Sequence, residues 1–385
     1  MSPYIGKVEL SRQLVLAAII GRVPLLRCIQ KNSEVFQNTA SPIQDVPQWL
    51  AYQLHRPCRQ RTPSPGGLKR RREGMMGLHY NSSAARALEP DVVRHDRLAM
   101  AALDPFDPVF SEALQRLAQA FVATHQAEPR IAALFATEQR WLLCHAALGA
   151  HFRTGGIGRG LTRPVLVEMS DRYAIASRNT VHAFIDEALK YDFVRLVTLR
   201  RPGGHHRFVP SPKVIGMLAH WYGLHFEALD VIDGGSRASL FRADADNLLL
   251  QMQPDVADGL LAAPGIRNSG PLYATFSRVD AGGLIMDRLF GGIDVTIPAT
   301  LDRYETDITS ISSLASFAGL SRAHVSRKLS AAEAAGGVGW SGLRGRSPLW
   351  ISHDFRRQYA QTQATKLSIL DDAFSRALAV RAEAS

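Results

Sequence analysis

The stretch LASFAGLSRAHVSRKL, residues Leu314–Leu329, is the clearest structural signal in the chain. Its apolar residues before Gly319 form the inner face of a short helix, and Gly319 permits the left-handed conformation that ends a helix tightly. Ser321 is a suitable N-cap for a second helix, on which Val325 and Leu329 face inward four residues apart. A short helix, a glycine turn and a second helix with a polar outer face predict a helix-turn-helix.

A predicted hairpin lies directly behind this motif. Short strand signals at Val338–Trp340 and Leu349–Ser352 flank a basic turn that holds Arg344 and Arg346. The second helix leaves four polar side chains, predicted to face outward: Arg322, His324, Arg327 and Lys328. A helix-turn-helix followed by a hairpin with an arginine-bearing tip is more specific than a helix-turn-helix alone.

The same pattern occurs upstream. Residues Ala174–Val181 align without gaps with Ala318–Val325 at an offset of 144 residues, although Ile175 replaces the turn glycine. Val194 falls opposite Val338, and strand signals at Phe193–Leu199 and Arg207–Pro210 predict a second basic hairpin. Residues 195–213 hold five Lys/Arg and no acid. The repeat therefore predicts two such units in one chain.

The arrangement resembles the MarR-type winged helix regulators over roughly residues 110–380, by the LASFAGLSRAHVSRKL stretch, the Gly-Gly before the hairpin, its arginine-bearing tip and the flanking helices. The resemblance implies DNA binding with the second helix of each motif in the major groove, usually by a dimer. Two units in tandem then imply a single-chain pseudo-dimer. The chain departs from the family in the long helical region between the units, about 212–290.

By this resemblance the two recognition helices run from Ser177 to about Tyr191 and from Ser321 to about Ala334. Their amino-terminal residues reach base edges, where Arg can read guanine and Asn can read adenine. The hairpin arginines contact phosphate or the minor groove. The candidate DNA-binding residues are Ser177, Arg178, Asn179, Thr180, His182, Arg200, Arg201, Arg207, Ser321, Arg322, His324, Arg327, Lys328, Arg344 and Arg346. The two sets differ, so the half-sites are expected to be asymmetric.

The predicted fold is mainly α with small β-wings, formed by two winged helix-turn-helix units joined by a helical region. Helical patterns cover Pro212–Leu229, Leu240–Leu261 with a break at Pro254, Leu272–Leu289 and Asp354–Ala384. The predicted domains are a basic extension at 1–99, winged helix unit 1 at 104–230, a helical connector at 231–290, and winged helix unit 2 with carboxyl-terminal helices at 291–385.

The net charge of +10 is concentrated at the start of the chain. Residues 1–99 hold 15 Lys/Arg against 7 Asp/Glu, whereas residues 100–385 hold 30 against 28. The run RPCRQRTPSPGGLKRRR from Arg56 to Arg72 predicts disorder. We favour a natural start at Met75, Met76 or Met100, with the upstream stretch not native protein; the alternative is a basic arm with non-specific phosphate affinity.

Several function classes are disfavoured. Three distant cysteines provide neither a disulfide framework nor metal-ligand spacing, which fits a cytoplasmic protein. The run Leu14–Leu26 is too short for a membrane span and Arg22 breaks it. No nucleophile elbow or dinucleotide fingerprint predicts an enzyme or a cofactor.

The prediction is a transcriptional regulator that binds double-stranded DNA, with a small-molecule effector and homodimerisation left open. The alternatives are a plasmid replication initiator and a winged helix module for protein–protein contact.

Overall fold

The computed structural model describes residues 104–127, 137–156, 160–197, 206–278, 280–296 and 302–384. The described part of the chain is mainly helical with small antiparallel sheets, as the sequence predicts. The predicted extension at 1–99 and the hairpin residues Arg200 and Arg201 lie outside the described residues. Within those described ranges, no helix combines the length and apolar character needed to cross a bilayer.

Two segments of the chain share one order of elements. Each repeat comprises two helices followed by two strands, within residues 163–210 in the first repeat and residues 311–352 in the second. The helices in chain order are α1 (Pro108–Ala127), α2 (Glu138–Phe152), α3 (Arg163–Arg172), α4 (Arg178–Lys190), α5 (Pro212–Asp233), α6 (Arg237–Ala243), α7 (Ala245–Ala262), α8 (Pro264–Arg267), α9 (Pro271–Ser277), α10 (Gly282–Gly291), α11 (Ile311–Phe317), α12 (Arg322–Ala334) and α13 (His353–Ala384). The strands are β1 (Val194–Val197), β2 (Arg207–Pro210), β3 (Arg303–Glu305), β4 (Val338–Trp340) and β5 (Leu349–Ser352).

Each repeat ends in an antiparallel hairpin. In the first, Val194 pairs with Pro210 and Val197 with Arg207; in the second, Val338 pairs with Ile351 and Trp340 with Leu349. In both, an extended segment before the first helix adds to the hairpin. In the first repeat, Thr162 of this segment forms an isolated antiparallel bridge with Arg207. In the second repeat, the segment is strand β3, which pairs with β5. Strand β3 was missed by the sequence prediction.

The turn between the two helices differs by one residue from the ungapped alignment. Gly319 takes the left-handed conformation in the second repeat, with φ of 65°, as predicted. In the first repeat Ala174, with φ of 47°, takes that conformation rather than Ile175. The extra residue is Ala176, whose N–H and carbonyl both bond to the buried Ser170 hydroxyl, at 3.1 and 2.9 Å. The alignment across this turn was therefore wrong by one position.

From the start of the second helix to the first residue of the hairpin, the 144-residue offset holds residue for residue. Asp192, two residues after the end of α4, and Gly336, two residues after the end of α12, both take the left-handed conformation, with φ of 54° and 73°. Asp192 is held by two 2.7 Å bonds from Arg195, which lower the pKa of its carboxyl group. The predicted equivalence of Val194 and Val338 is confirmed, because each begins a strand.

Two predictions in the helical region between the repeats were wrong. Helix α7 continues through Pro254, because the apolar residues on both sides of the proline, such as Met252 and Val256, are fully buried. The predicted helix at Leu272–Leu289 is instead α9 and α10. They meet at Gly282, where an added Cβ would lie 1.7 Å from the carbonyl oxygen of Phe276.

Helix α13 belongs to both hydrophobic cores of the described part. Its first turns, with Phe355 and Tyr359, pack in the core that contains the second repeat. The later turns, with Leu367, Leu370 and Phe374, pack in the core that contains the first repeat. One continuous helix of 32 residues therefore connects the two cores.

The buried Arg237 also attaches α13 to its neighbours, and its removal should destabilise the protein. Its guanidinium bonds Asp233 and Asp371 at 2.7 Å. We expect Arg237→Ala to lower the free energy of unfolding by about 3 kcal/mol, because two poorly solvated carboxylates lose their partner. The measurement is urea unfolding followed by circular dichroism. The control Arg242→Ala removes an exposed pair with Glu227 and should cost about 0.5 kcal/mol; equal losses would contradict the assignment.

Candidate nucleic-acid interface

Helices α4 and α12 begin with the same capping arrangement. The Ser177 hydroxyl oxygen accepts a bond from the Thr180 N–H at 3.3 Å, and the Ser321 hydroxyl oxygen accepts one from the His324 N–H at 3.2 Å. A serine that caps the N3 amide fixes the start of a helix. The predicted starts of both helices are confirmed, and the residue after each cap is an arginine.

Four of the candidate side chains stand free at the surface of these helices. Arg178, Asn179, Arg322 and Arg327 are exposed, and their side chains make no hydrogen bond or ion pair with any other described residue. All four lie in the first two turns of their helix. The amino-terminal end of a helix also carries the positive end of its dipole, so these side chains occupy an electropositive surface.

The other candidates on α4 have partners within the protein. The Thr180 hydroxyl lies 2.9 Å from the Ser177 hydroxyl, and His182 is half-buried with Nδ1 3.5 Å from Arg163. Arg163 also pairs with Asp186, and Arg140 pairs with Glu187. Both acids on the outer side of α4 are therefore neutralised by arginines from neighbouring helices.

Lys328 does not face outward, and its predicted orientation was wrong. The residue is only 7% exposed, and its Nζ donates to the carbonyl oxygen of Asp280 at 2.5 Å. Its equivalent at the 144-residue offset is Phe184, which is buried against the core of the first repeat. Burial lowers the pKa of Lys328. Because this side of the helix faces the protein in both repeats, Lys328 is not placed to contact a base.

The hairpin of the second repeat is fastened to α12 by Arg344. Its guanidinium donates to Glu333 at 3.1 Å, to the Ser326 hydroxyl at 3.1 Å and to the Ser330 hydroxyl at 3.0 Å. The side chain that was predicted to contact DNA thus binds the outer side of the second helix. Arg346 is exposed, and its side chain has no hydrogen-bond partner among the described residues.

Only part of the first hairpin is described. Arg207 lies on β2, half-buried and opposite Val197, while its neighbour Phe208 enters the core. Arg200 and Arg201, the predicted tip residues, lie outside the described residues. The guanidinium group of Arg195, on β1, donates hydrogen bonds to the carboxylate of Asp192.

The turn between α9 and α10 adjoins the second helices of both repeats. Together with Thr180 and Ala183 of α4, Arg278 and Asp280 line an open cleft of about 590 Å³. Asp280 also accepts the bond from Lys328 of α12. Arg278 is exposed and has no partner in the described part of the chain. Nothing in the sequence pattern indicates Arg278 as a site residue, because it lines the same cleft as α4 only in the folded chain.

Comparison with family models, with curated proteins and with solved structures gave no match for the chain. Among the described residues, no group of three His, Cys, Asp or Glu side chains is placed to hold a metal ion. The exposed candidate side chains at the start of the two capped helices are those of Arg and Asn.

Removal of Arg344 should loosen the second hairpin without unfolding the protein. We expect Arg344→Ala to speed amide hydrogen exchange at Ser341 and Arg346 by about 5- to 30-fold, because the lost bonds contribute about 1 to 2 kcal/mol locally. Mass spectrometry of exchanged peptides measures this. Arg346→Ala is the matched control, and faster exchange in both variants would contradict a specific role for Arg344.

Replacement of Lys328 tests whether this position belongs to the interior. We expect Lys328→Met to change the free energy of unfolding by less than about 1 kcal/mol, because the methionine avoids the cost of burying an ammonium group. Lys328→Glu should lose more than about 2 kcal/mol, because the carboxylate would face the Asp280 carbonyl.

The pH dependence gives a second test by urea unfolding. The folded state lowers the pKa of Lys328, so the unfolded chain binds more protons and the wild-type protein gains stability as the pH rises toward the ordinary lysine pKa. Lys328→Met should lack that component. Identical pH profiles would contradict the assignment.

Proposed function

We propose that the chain binds double-stranded DNA through two winged helix-turn-helix units and acts as a transcriptional regulator. The observation that carries the proposal is the repetition of one arrangement at the 144-residue offset. In each repeat a serine caps the second helix, an exposed arginine follows, and a hairpin stands behind the helix. Packing of the core does not explain why an exposed arginine without a partner among the described residues follows the capping serine in both repeats.

The exposed side chains have the chemistry that base recognition needs. Arg178, Arg322 and Arg327 can donate paired bonds to the O6 and N7 atoms of guanine, and Asn179 can bond adenine. An exposed surface of this polarity does not favour an apolar protein partner. The acids of α4 are paired with Arg140 and Arg163, which reduces their repulsion of phosphate.

The fold also offers a phosphate contact beside the helices. Arg278 lies on the α9–α10 turn, which lines the cleft beside α4 and accepts the Lys328 bond from α12. A cation there is suited to the backbone of a duplex that contacts both second helices. Because the outer residues of α4 and α12 differ, we propose two unlike half-sites. We propose that the chain performs this role in the cytoplasm.

The test is sequence-selective binding by the full chain. Duplexes selected from a random pool by the wild-type protein are compared with random duplexes at several salt concentrations. We expect the double variant Arg178→Ala, Arg322→Ala to lose about tenfold or more of its preference for the selected duplexes per arginine, because each paired contact contributes about 1 to 3 kcal/mol. The control is Arg242→Ala with Arg376→Ala, two exposed arginines on α6 and α13.

Two results would argue against the proposal. If selection enriches no duplex, the chain has no sequence preference and the regulator role fails. If the double variant keeps the wild-type preference while both bind with the same salt dependence, the second helices are not the elements that recognise bases. The salt dependence separates this from phosphate attraction, which is independent of sequence.

A further inference from the structure

Leu343, at the tip of the second hairpin, is the most exposed large apolar side chain in the described part of the chain. It is 74% exposed, compared with 58% for Val380 and 52% for Leu196. It lies among polar residues in the turn SGLRGRS, residues 341–347. An exposed leucine at a hairpin tip contributes little to the hydrophobic core, so its apolar surface is open to contact a partner.

The exposure of Leu343 is fixed by the structure of the tip. Ser341 N–H bonds the Pro348 carbonyl at 2.9 Å, and Arg346 N–H bonds the Leu343 carbonyl at 3.0 Å. Gly342 N–H bonds the Ser347 hydroxyl at 2.9 Å. The tip is therefore a closed, hydrogen-bonded turn in which Leu343 is held away from the core.

The arginine next to Leu343 fixes the tip relative to α12. Because Arg344 bonds Ser326, Ser330 and Glu333, the tip is tied to the outer side of the second helix. Any duplex that contacts the exposed residues of α12 thus lies near this tip. Arg346 is exposed on the same turn and free to contact a phosphate group.

We propose that Leu343 is an apolar wedge that enters the minor groove beside the site of α12, partly unstacks one base step and bends the duplex, while Arg346 contacts the adjacent backbone. This inference rests on the proposed function. Apolar side chains inserted in this way kink DNA, and the cost of unstacking is repaid by the larger surface that the bent duplex contacts. Pyrimidine–purine steps deform most easily, so the wedge adds sequence preference without a hydrogen bond to a base.

The experiment uses the full chain and a selected duplex with 2-aminopurine placed at successive positions. Dyes at the two duplex ends report bending by energy transfer. The wild-type protein should raise 2-aminopurine fluorescence at one step and bring the duplex ends closer. Leu343→Ala should lose both signals and bind about tenfold more weakly, because less apolar surface is buried. Leu343→Met should restore both, and Val380→Ala should match the wild type.

Other outcomes overturn the inference in distinguishable ways. If Leu343→Ala unstacks and bends the duplex as the wild type does, the wedge is wrong while DNA binding stands. If Leu343→Ala instead changes the sedimentation coefficient of the free protein and leaves both DNA signals intact, Leu343 is a contact between two copies of the chain. If the wild type selects no duplex, the proposed function and the wedge both fail.

Discussion

The continuous burial of α13 in two cores is the constraint on which the arrangement of the repeats depends. A helix of this length is about 48 Å long at 1.5 Å per residue, so its packing at one end fixes its direction at the other. Phe355 packs on Phe276 and Phe290 near the second repeat, and Phe374 packs on Phe226 near the first. The two repeats cannot change their relative position without disturbing at least one of these contacts.

A polar cluster lies where α13 passes from one core to the other. Tyr359 donates to Asp287 at 2.9 Å, and Ser277 donates to Glu138 at 2.7 Å. Lys366 stands 5.2 Å from the ring centre of Trp141 and interacts with both carboxylates. Burial raises the pKa of Asp287 to about 6, although Lys366 opposes that rise. Because Lys366 interacts with both half-buried carboxylates, a different packing of α13 at this point would separate these charges.

The sequence predicted those features that depend on neighbouring residues in the chain, and it missed those that depend on contacts between distant segments. Capping serines and inward residues such as Val181 and Val325 determine the bounds of α4 and α12, and those bounds could be predicted from spacing. The inward position of Lys328 could not, because a lysine indicates an exposed face unless the burial of its equivalent, Phe184, is known. The left-handed Ala174 was missed because the extra residue in the turn, Ala176, is held by the Ser170 hydroxyl, a contact that an ungapped alignment does not reveal. The contacts of Arg344 depend on a hairpin that folds back on α12.

The two repeats share a backbone but differ in the charge on their second helices. Helix α4 carries Asp186 and Glu187, and each is paired with an arginine of a neighbouring helix, Arg163 and Arg140. Helix α12 carries a single acid, Glu333, which is bonded by Arg344 and Trp340, while Arg322 and Arg327 remain free. Helix α4 leaves Arg178 and Asn179 free beside these ion pairs. Under the proposed function, equivalent scaffolds would thus present different side chains to the two half-sites.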